Sequence, residues 1–239
     1  MKQRLDQAMV QQMLVSSRSQ AENWIKLGKV KVDGKTITKP GFFASEQVKI
    51  TLEAPNQYVS RAGLKLASVA SSLKLKFKEK TMLDVGSSTG GFTDFALQHG
   101  AKQVIAVDVG TDQMHPSLRG DERIDLREKT DIRDVNLKEK PDIIVIDVSF
   151  ISLREVLPHI ARNLANGSTQ IVAMVKPQFE AGRNQASKGV IKNDTIRRQI
   201  LKDFEVWAKH YFVIQDKADS EVSGAKGNQE RFYLLKAIR

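Results

Sequence analysis

Gly86, Gly90 and Gly91 interrupt an apolar run in MLDVGSSTGGFTDF, residues 82–95, and Asp108 stands 22 positions beyond the first of them. A glycine turn lets backbone N–H groups close on a ligand, and a carboxylate at the end of the next strand can take both hydroxyls of a ribose. This pair predicts a nucleoside-containing cofactor. The turn reads G-x-x-x-G-G, without the G-x-G-x-x-G spacing that brings backbone onto a pyrophosphate and without the lysine of a phosphate loop. S-adenosyl-L-methionine carries a ribose and an adenine but no phosphate, and its carboxylate can use a helix N-terminus. It is therefore expected in preference to a dinucleotide. The expected cofactor residues are Asp84, Gly86, Ser87, Ser88, Thr89, Gly90, Gly91, Phe92, Asp108 and Val109. Asp131 in TDIRD, followed by Ile132, is placed to accept the adenine amino group.

Absences narrow the chemistry. With no cysteine in 239 residues there is no disulfide, no thiolate metal site and no thiol nucleophile. Pyrimidine carbon-5 methylation through a cysteine adduct is closed. His99, His115, His159 and His210 are scattered, so no metal is expected. No apolar run reaches the ~18 residues of a membrane span and the polar N-terminus is not a signal peptide, so a cytoplasmic protein without membrane contact is expected.

The elements that must position the glycine turn alternate. Strands are expected at 81–85, 103–109, 142–148, 170–175, 211–215 and 230–237, and helices near 91–99, 152–164 and 194–209. Continuous apolar strands separated by helices predict an α/β fold, a doubly wound, mostly parallel sheet. Ahead of it, residues 1–54 read as a small α+β domain, with 55–59 as a linker and 60–239 as the second domain. In the first domain RLDQAMVQQML, residues 4–14, places Leu5, Ala8, Met9, Met13 and Leu14 on one helical face. A second helix begins at Ser17 and stops at Gly28, burying Ala21, Trp24, Ile25 and Leu27. Asp33-Gly34 reads as a hairpin turn and 47–53 as a further strand. The helix at 60–75, capped by Ser60, offers Leu64, Leu66, Ala67, Ala70 and Leu73 to a core.

The formal charge of +10 is unevenly placed: residues 1–80 hold 15 Lys+Arg against 6 Asp+Glu, and residues 81–239 hold 23 against 22. A basic module joined to a neutral one predicts docking on a polyanion by the first. Arg4, Arg18, Lys26, Lys29, Lys31 and Lys39 are the expected contacts, with Arg61, Arg183 and Lys188 as further ones; for the family resemblance below, the polyanion is RNA.

YVSRAGLKLA, LDVGSSTGGFTD, DIIVIDVSFISL, VKPQFEAGR and GAKGNQERFYLL together resemble the TlyA family, almost from end to end. The resemblance implies an RNA-binding αL module joined to an FtsJ-like (RrmJ-like) methyltransferase sheet of Rossmann-like type, its last strand antiparallel. It implies 2′-O-methylation of ribosomal RNA, at cytidine, on RNA or ribosomal subunits. By motif match its Lys-Asp-Lys-Glu set becomes Lys65, Asp147, Lys176 and Glu230. Chain topology points the same way: Asp147 and Lys176 each follow a parallel strand, Glu230 opens at the same sheet edge if the last strand is antiparallel, and Lys65, in the first turns of a helix expected to run antiparallel to the first strand, reaches that edge too.

A ribose hydroxyl needs a base or a strong polariser to attack a sulfonium methyl. Lys176 is expected nearest that hydroxyl, as base or as stabiliser of the alkoxide. Asp147 and Glu230 would orient the lysines, Asp147 would face the cofactor's positive charge, and Lys65 would polarise the hydroxyl or hold a phosphate. The rival readings are an RNA-binding protein with a vestigial methyltransferase domain and, from the label some family members carry, a haemolysin. The haemolysin needs an exposed apolar membrane segment, and the apolar stretches here are short strands committed to a core.

Overall fold

The structure, a computed structural model, describes residues 2–15, 17–26, 28–45, 47–53, 58–181, 189–191, 193–224 and 227–238. It divides into two compact units, Met1–Arg61 and Ala62–Arg239.

The first unit contains strand β1 (Lys2–Arg4), helix α1 (Leu5–Gln11), helix α2 (Arg18–Lys26), and strands β2 (Val30–Val32), β3 (Lys35–Thr36), β4 (Phe43–Ser45) and β5 (Ile50–Leu52). Ser17 caps α2 by accepting the Gln20 N–H on Oγ at 3.2 Å, and Gly28 closes it with a φ of +69°. The β2–β3 hairpin turns on Asp33 and Gly34, both left-handed, in the primed geometry that matches strand twist. β5 pairs antiparallel with β2, while β1 pairs with β4 in a separate two-stranded ribbon. Leu5, Ala8, Met9, Val15, Ala21, Trp24 and Ile25 form its buried side. Met13 does not join them: α1 stops at Gln11, the chain turns left-handed at Met13, and that side chain is 89 % exposed. Val15 is buried instead. Leu27 lies outside the described residues.

Helix α3 (Arg61–Ala70) leads into the second unit. It is shorter than the 60–75 expected, and Val69 takes a fully buried place while Ala67 and Ala70 are only half-buried. Then follow β6 (Thr81–Val85), α4 (Gly91–Gln98), β7 (Gln103–Val107), β8 (Ile124–Arg127), β9 (Ile143–Ile146), α5 (Leu153–His159), β10 (Gln170–Val175), α6 (Pro177–Glu180), α7 (Asp194–Ala208), β11 (Phe212–Asp219) and β12 (Arg231–Ala237). The seven strands lie in the order β11-β12-β10-β9-β6-β7-β8. All neighbours are parallel except β12, which runs antiparallel to both β10 and β11. The sheet is thus α/β and mostly parallel. From β6 the chain moves outward through β7 and β8, then crosses back to β9 on the other side of β6. That reversal is the switch point beside which open α/β sheets bind ligands.

Two elements differ from expectation. The 152–164 helix is α5, with Pro158 inside it, followed by a π-helical turn at Ile160–Leu164. β8 carries no clear strand signal in the sequence, because IDLR holds two charges in four residues and lies at the sheet edge, half-buried throughout.

Candidate active site

Strand register brings the charged groups together. β6 and β9 pair with Val85 opposite Ile146, so Gly86 and Asp147 leave the sheet side by side, and the Asp147 N–H donates to Val85 O at 2.9 Å. β10 and β12 pair with Val175 opposite Arg231, so Lys176 and Glu230 are the next residues out on neighbouring strands. Gly86, Asp147, Lys176 and Glu230 therefore stand in a row along the carboxyl edge of four adjacent strands.

Two ion pairs tie this row. Lys176 Nζ lies 2.5 Å from Asp147 Oδ1 and donates to Ser149 Oγ at 2.6 Å. Lys65 Nζ lies 2.5 Å from Glu230 Oε2, and both partners are buried. Lys65 reaches the edge from α3. Glu230 is fixed from behind: Asp219 holds Arg197 at 2.6 Å and Arg231 at 2.7 Å, and Arg197 also donates to Gln229 O at 3.1 Å. The space beside Glu230 exists because Gly224 has no side chain, whose Cβ would fall 2.9 Å from Glu230 Oε1.

Beside the row opens a cavity of about 340 Å³, lined by residues that include Gly86, Ser88, Asp108, Val109, Asp131, Ile132, Asp147 and Phe150. Its size lies within the range of small-molecule sites. Asp108 accepts the Ser88 N–H at 2.8 Å and the Gly110 N–H at 2.7 Å, one on each carboxylate oxygen. That holds the glycine turn against the end of β7 and leaves the carboxylate's other lone pairs to face the cavity. Gly86 has a φ of +80°, and a Cβ there would meet Asp147 O at 2.8 Å. Gly90, the left-handed residue before α4, has Met114 and Leu118 where a Cβ would go. Asp131 caps the short turn Ile132–Asp134 and is gripped by Arg133 through Nε at 2.9 Å and Nη2 at 2.6 Å. That grip holds its carboxyl down at about 2.

Asp84, Ser87, Thr89, Gly90, Gly91 and Phe92 are not among the residues lining this cavity. Asp84 and Ser87 are buried beneath the turn, and Phe92 faces the core, its ring 6.1 Å from Phe232. Asp84 is the unusual one. Its Oδ2 accepts the Thr93 hydroxyl at 2.7 Å, while Oδ1 is buried with no hydrogen-bond partner among the described residues. Burial pushes its carboxyl up to about 7, the Thr93 hydrogen bonds oppose this, and the nearby charge of Asp147 adds to it.

The sign for stability follows. Unfolded, Asp84 loses its proton near the ordinary 3.8; folded, it keeps it to about 7. Its contribution is fully present below the lower value and is lost as pH rises through the upper one, by up to about 1.4 kcal/mol per pH unit. D84N should flatten the fall in melting temperature between pH 5 and pH 8. Parallel pH profiles for the two proteins would remove this assignment.

Three side chains here went unnoticed in the sequence. Ser149 accepts from Lys176, and its position two residues after Asp147 was the available signal. Glu180 accepts the Ser152 hydroxyl at 2.6 Å and the Leu153 N–H at 2.7 Å, so the VKPQFE segment anchors the start of α5 and the loop after Asp147. Phe150, at the cavity rim, is 93 % exposed with a φ of +67°, a rare conformation for a bulky residue, and its ring stands 5.3 Å from that of Phe179.

The expected RNA residues of the first unit divide. Asp6 grips Arg4 and Arg18, Lys26 faces Glu22 at 3.8 Å, and Lys31 pairs with Glu53 at 2.8 Å. Lys29 and Lys39 are exposed and Arg61 is half-buried. Arg183 and Lys188 lie outside the described residues. Among the described residues no group of three metal-ligating side chains occurs, and no helix is long and apolar enough to cross a membrane.

Residues 58–237 match the family model of the FtsJ-like methyltransferases, and residues 3–50 match that of the S4 domain. A Bacillus subtilis protein provisionally named as an rRNA methyltransferase, YqxC, is 40 % identical over 96 % of this chain and 84 % of its own length. The Campylobacter jejuni 23S rRNA (cytidine-2′-O)-methyltransferase TlyA is 43 % identical over 74 % of this chain and 70 % of its own. A solved structure from Streptococcus thermophilus with a provisional hemolysin label superposes with a TM-score of 0.73 at 37 % identity, over 99 % of this chain and 88 % of that one. A glycine turn at the switch point, two lysine–carboxylate pairs at the same sheet edge and these matches lead to one assignment: the chain belongs to the FtsJ-like methyltransferase family and carries an S4 domain at its amino end.

Proposed function

We propose that this protein transfers a methyl group from S-adenosyl-L-methionine to the 2′-hydroxyl of a cytidine in ribosomal RNA. The observation that carries the proposal is the Lys176 ammonium, which meets Asp147 and Ser149 at the same sheet edge where the cavity opens. The pyrimidine ribose as target rests on the TlyA relative, whose name states that reaction.

The residues present fit the cofactor. Asp108 offers carboxylate lone pairs at the end of β7, where a ribose would sit, and Ile132 and Val109 offer apolar walls to an adenine. The carboxylate of Asp147, which lines the cavity, places negative charge beside the turn, suited to a cation. When bound, the cofactor supplies a methyl carbon made electrophilic by a positively charged sulfur.

Lys176 has three donors, and two are engaged by Asp147 and Ser149. The third is left for the substrate oxygen. During transfer the hydroxyl proton would pass to the Lys176 nitrogen, or to water while the ammonium stabilises the charge on the oxygen. Asp147 fixes the direction of that amine. Lys65, held by Glu230, holds the hydroxyl or the adjoining phosphate. The S4 domain supplies phosphate contacts, which give affinity and salt dependence rather than sequence reading.

Incubating ribosomal subunits from a strain lacking this activity with the protein and labelled methyl donor should place label in ribosomal RNA. Absence of label with every subunit and with naked RNA would refute the proposal. Substituting Gly86 offers a check on the cofactor. G86A combines a disfavoured φ with a collision against the Asp147 backbone. Calorimetry should show binding of S-adenosylhomocysteine weakened at least about tenfold, since backbone strain of this kind amounts to ~1–3 kcal/mol. Unchanged affinity would move the cofactor away from this turn.

A further inference from the structure

The amino-terminal unit presents an exposed aromatic ring, Phe43, that the expected RNA contacts above do not include. In the β1–β4 ribbon, Lys2 stands opposite Ser45, Gln3 opposite Ala44, and Arg4 opposite Phe43. Ala44 is buried, so the alternating strand geometry sends Arg4 and Phe43 out on the opposite face, as neighbours across the ribbon. Phe43 is 60 % exposed, and Phe42 beside it is 39 % exposed.

Next to this ring sits a rigid pair of guanidinium groups. Asp6, fully buried, accepts from Arg4 Nε at 3.0 Å and Nη2 at 2.7 Å, and from Arg18 Nη2 at 3.0 Å. The Arg4 hydrogen bonds hold the Asp6 carboxyl at about 2 despite its burial, so it stays ionised. One buried negative charge thus fixes two half-exposed positive ones, and each guanidinium has donors beyond those Asp6 accepts. Gly41 leaves the Arg4 group uncovered, since a Cβ there would sit 3.4 Å from Arg4 Nη1. The loop carrying Lys39, Gly41 and Phe42 is tied to the start of α1 through Leu5 N–H to Phe42 O at 2.7 Å, and within itself through Phe42 N–H to Lys39 O at 3.0 Å. The Arg4 and Arg18 guanidinium groups are held before any partner arrives.

We propose that this outward face is a site for one unpaired nucleotide of RNA, with its base stacked on Phe43 and its phosphate held between Arg4 and Arg18. The inference rests on the RNA-modifying function above and adds to it: the first unit selects single-stranded or bulged RNA over duplex, because only an unstacked base can offer its face to a ring. Arg4, opposite the ring, and Arg18, on the same buried carboxylate, match a polyanion. A phosphate contact alone would need no aromatic, and a buried protein contact would not set one across from a fixed pair of guanidinium groups.

The test uses the full-length protein and a fluorescent, unstructured RNA of about 12 nucleotides, alongside the same sequence as a duplex. F43A should weaken single-strand binding roughly tenfold or more, with duplex binding within about twofold of wild type. F43W should restore it, with tryptophan emission quenched on titration beyond any change in the wild type. Because Phe43 is exposed, F43A should melt with the wild type. Equal single-strand binding by F43A and wild type would overturn the proposal, as would equal losses on single strand and duplex. Weakened binding only to intact ribosomal subunits would assign the ring to a contact that a free strand does not offer and overturn it too. Methyl transfer by the wild type, measured separately, keeps the two readings apart. Transfer with no F43A binding defect refutes only this site, while absence of transfer refutes the function above.

Discussion

K176A is expected to lower methyl transfer by about 10²–10⁴-fold, the range for losing a positioned acid–base group, while leaving binding of S-adenosylhomocysteine nearly unchanged. Lys176 is the last residue before α6 and makes no helix cap through its side chain, so its removal leaves the backbone in place. What it does change is charge: Asp147 loses its partner at 2.5 Å beside the already protonation-prone Asp84. K176R separates the two roles open to the amine. A guanidinium keeps the charge but does not release its proton at working pH. Activity in K176R near wild type assigns Lys176 to charge stabilisation, and activity as low as K176A assigns it to proton transfer. Wild-type turnover in K176A would exclude Lys176 from the reaction.

The second large effect is expected at Lys65 and Glu230. Their side chains are 11 % and 3 % exposed, so removing one partner leaves a buried charge alone. E230A should destabilise the protein by about 3–5 kcal/mol in urea unfolding and abolish transfer. Removing both charges, in K65M/E230Q, should recover much of that stability, because the desolvation penalty goes with the charges. It should not recover transfer. A double variant as unstable as the sum of the single ones would mean that the two side chains do not act as a pair. Recovered transfer would mean that the pair only holds the fold.

Much of this site could be read from the chain because the carboxyl edge of a parallel sheet is fixed by strand ends. Once TMLDV, IIVI and QIVAMV are strands, Gly86, Asp147 and Lys176 have little choice of place. Glu230 required the last strand to be antiparallel, which the GAKGNQERFYLL resemblance implied and the β10–β12 register shows. The contacts that orient these groups were not legible. Ser149 and Glu180 act through loop geometry that periodicity does not encode. Asp131 looked like a free acceptor, whereas Arg133 two positions on engages both its oxygens. Phe92 looked like part of the turn, but helix α4 turns it inward. Met13 fell on the apolar stripe of α1, yet the helix ended before reaching it. The β1–β4 ribbon was not legible because its two short strands are separated by residues 5–42, with no hairpin turn joining them and little apolar alternation in KQR, and with it went the exposed Phe43.

The central claim is that Lys176 and its partners act on a sugar oxygen. The direct measurement is to digest labelled ribosomal RNA to nucleosides after reaction with the wild-type protein and to identify the methylated product by mass spectrometry. The account predicts 2′-O-methylcytidine, in an alkali-resistant linkage, and none of it with K176A. A methyl group on a base, or 2′-O-methylcytidine formed equally by K176A, would contradict it.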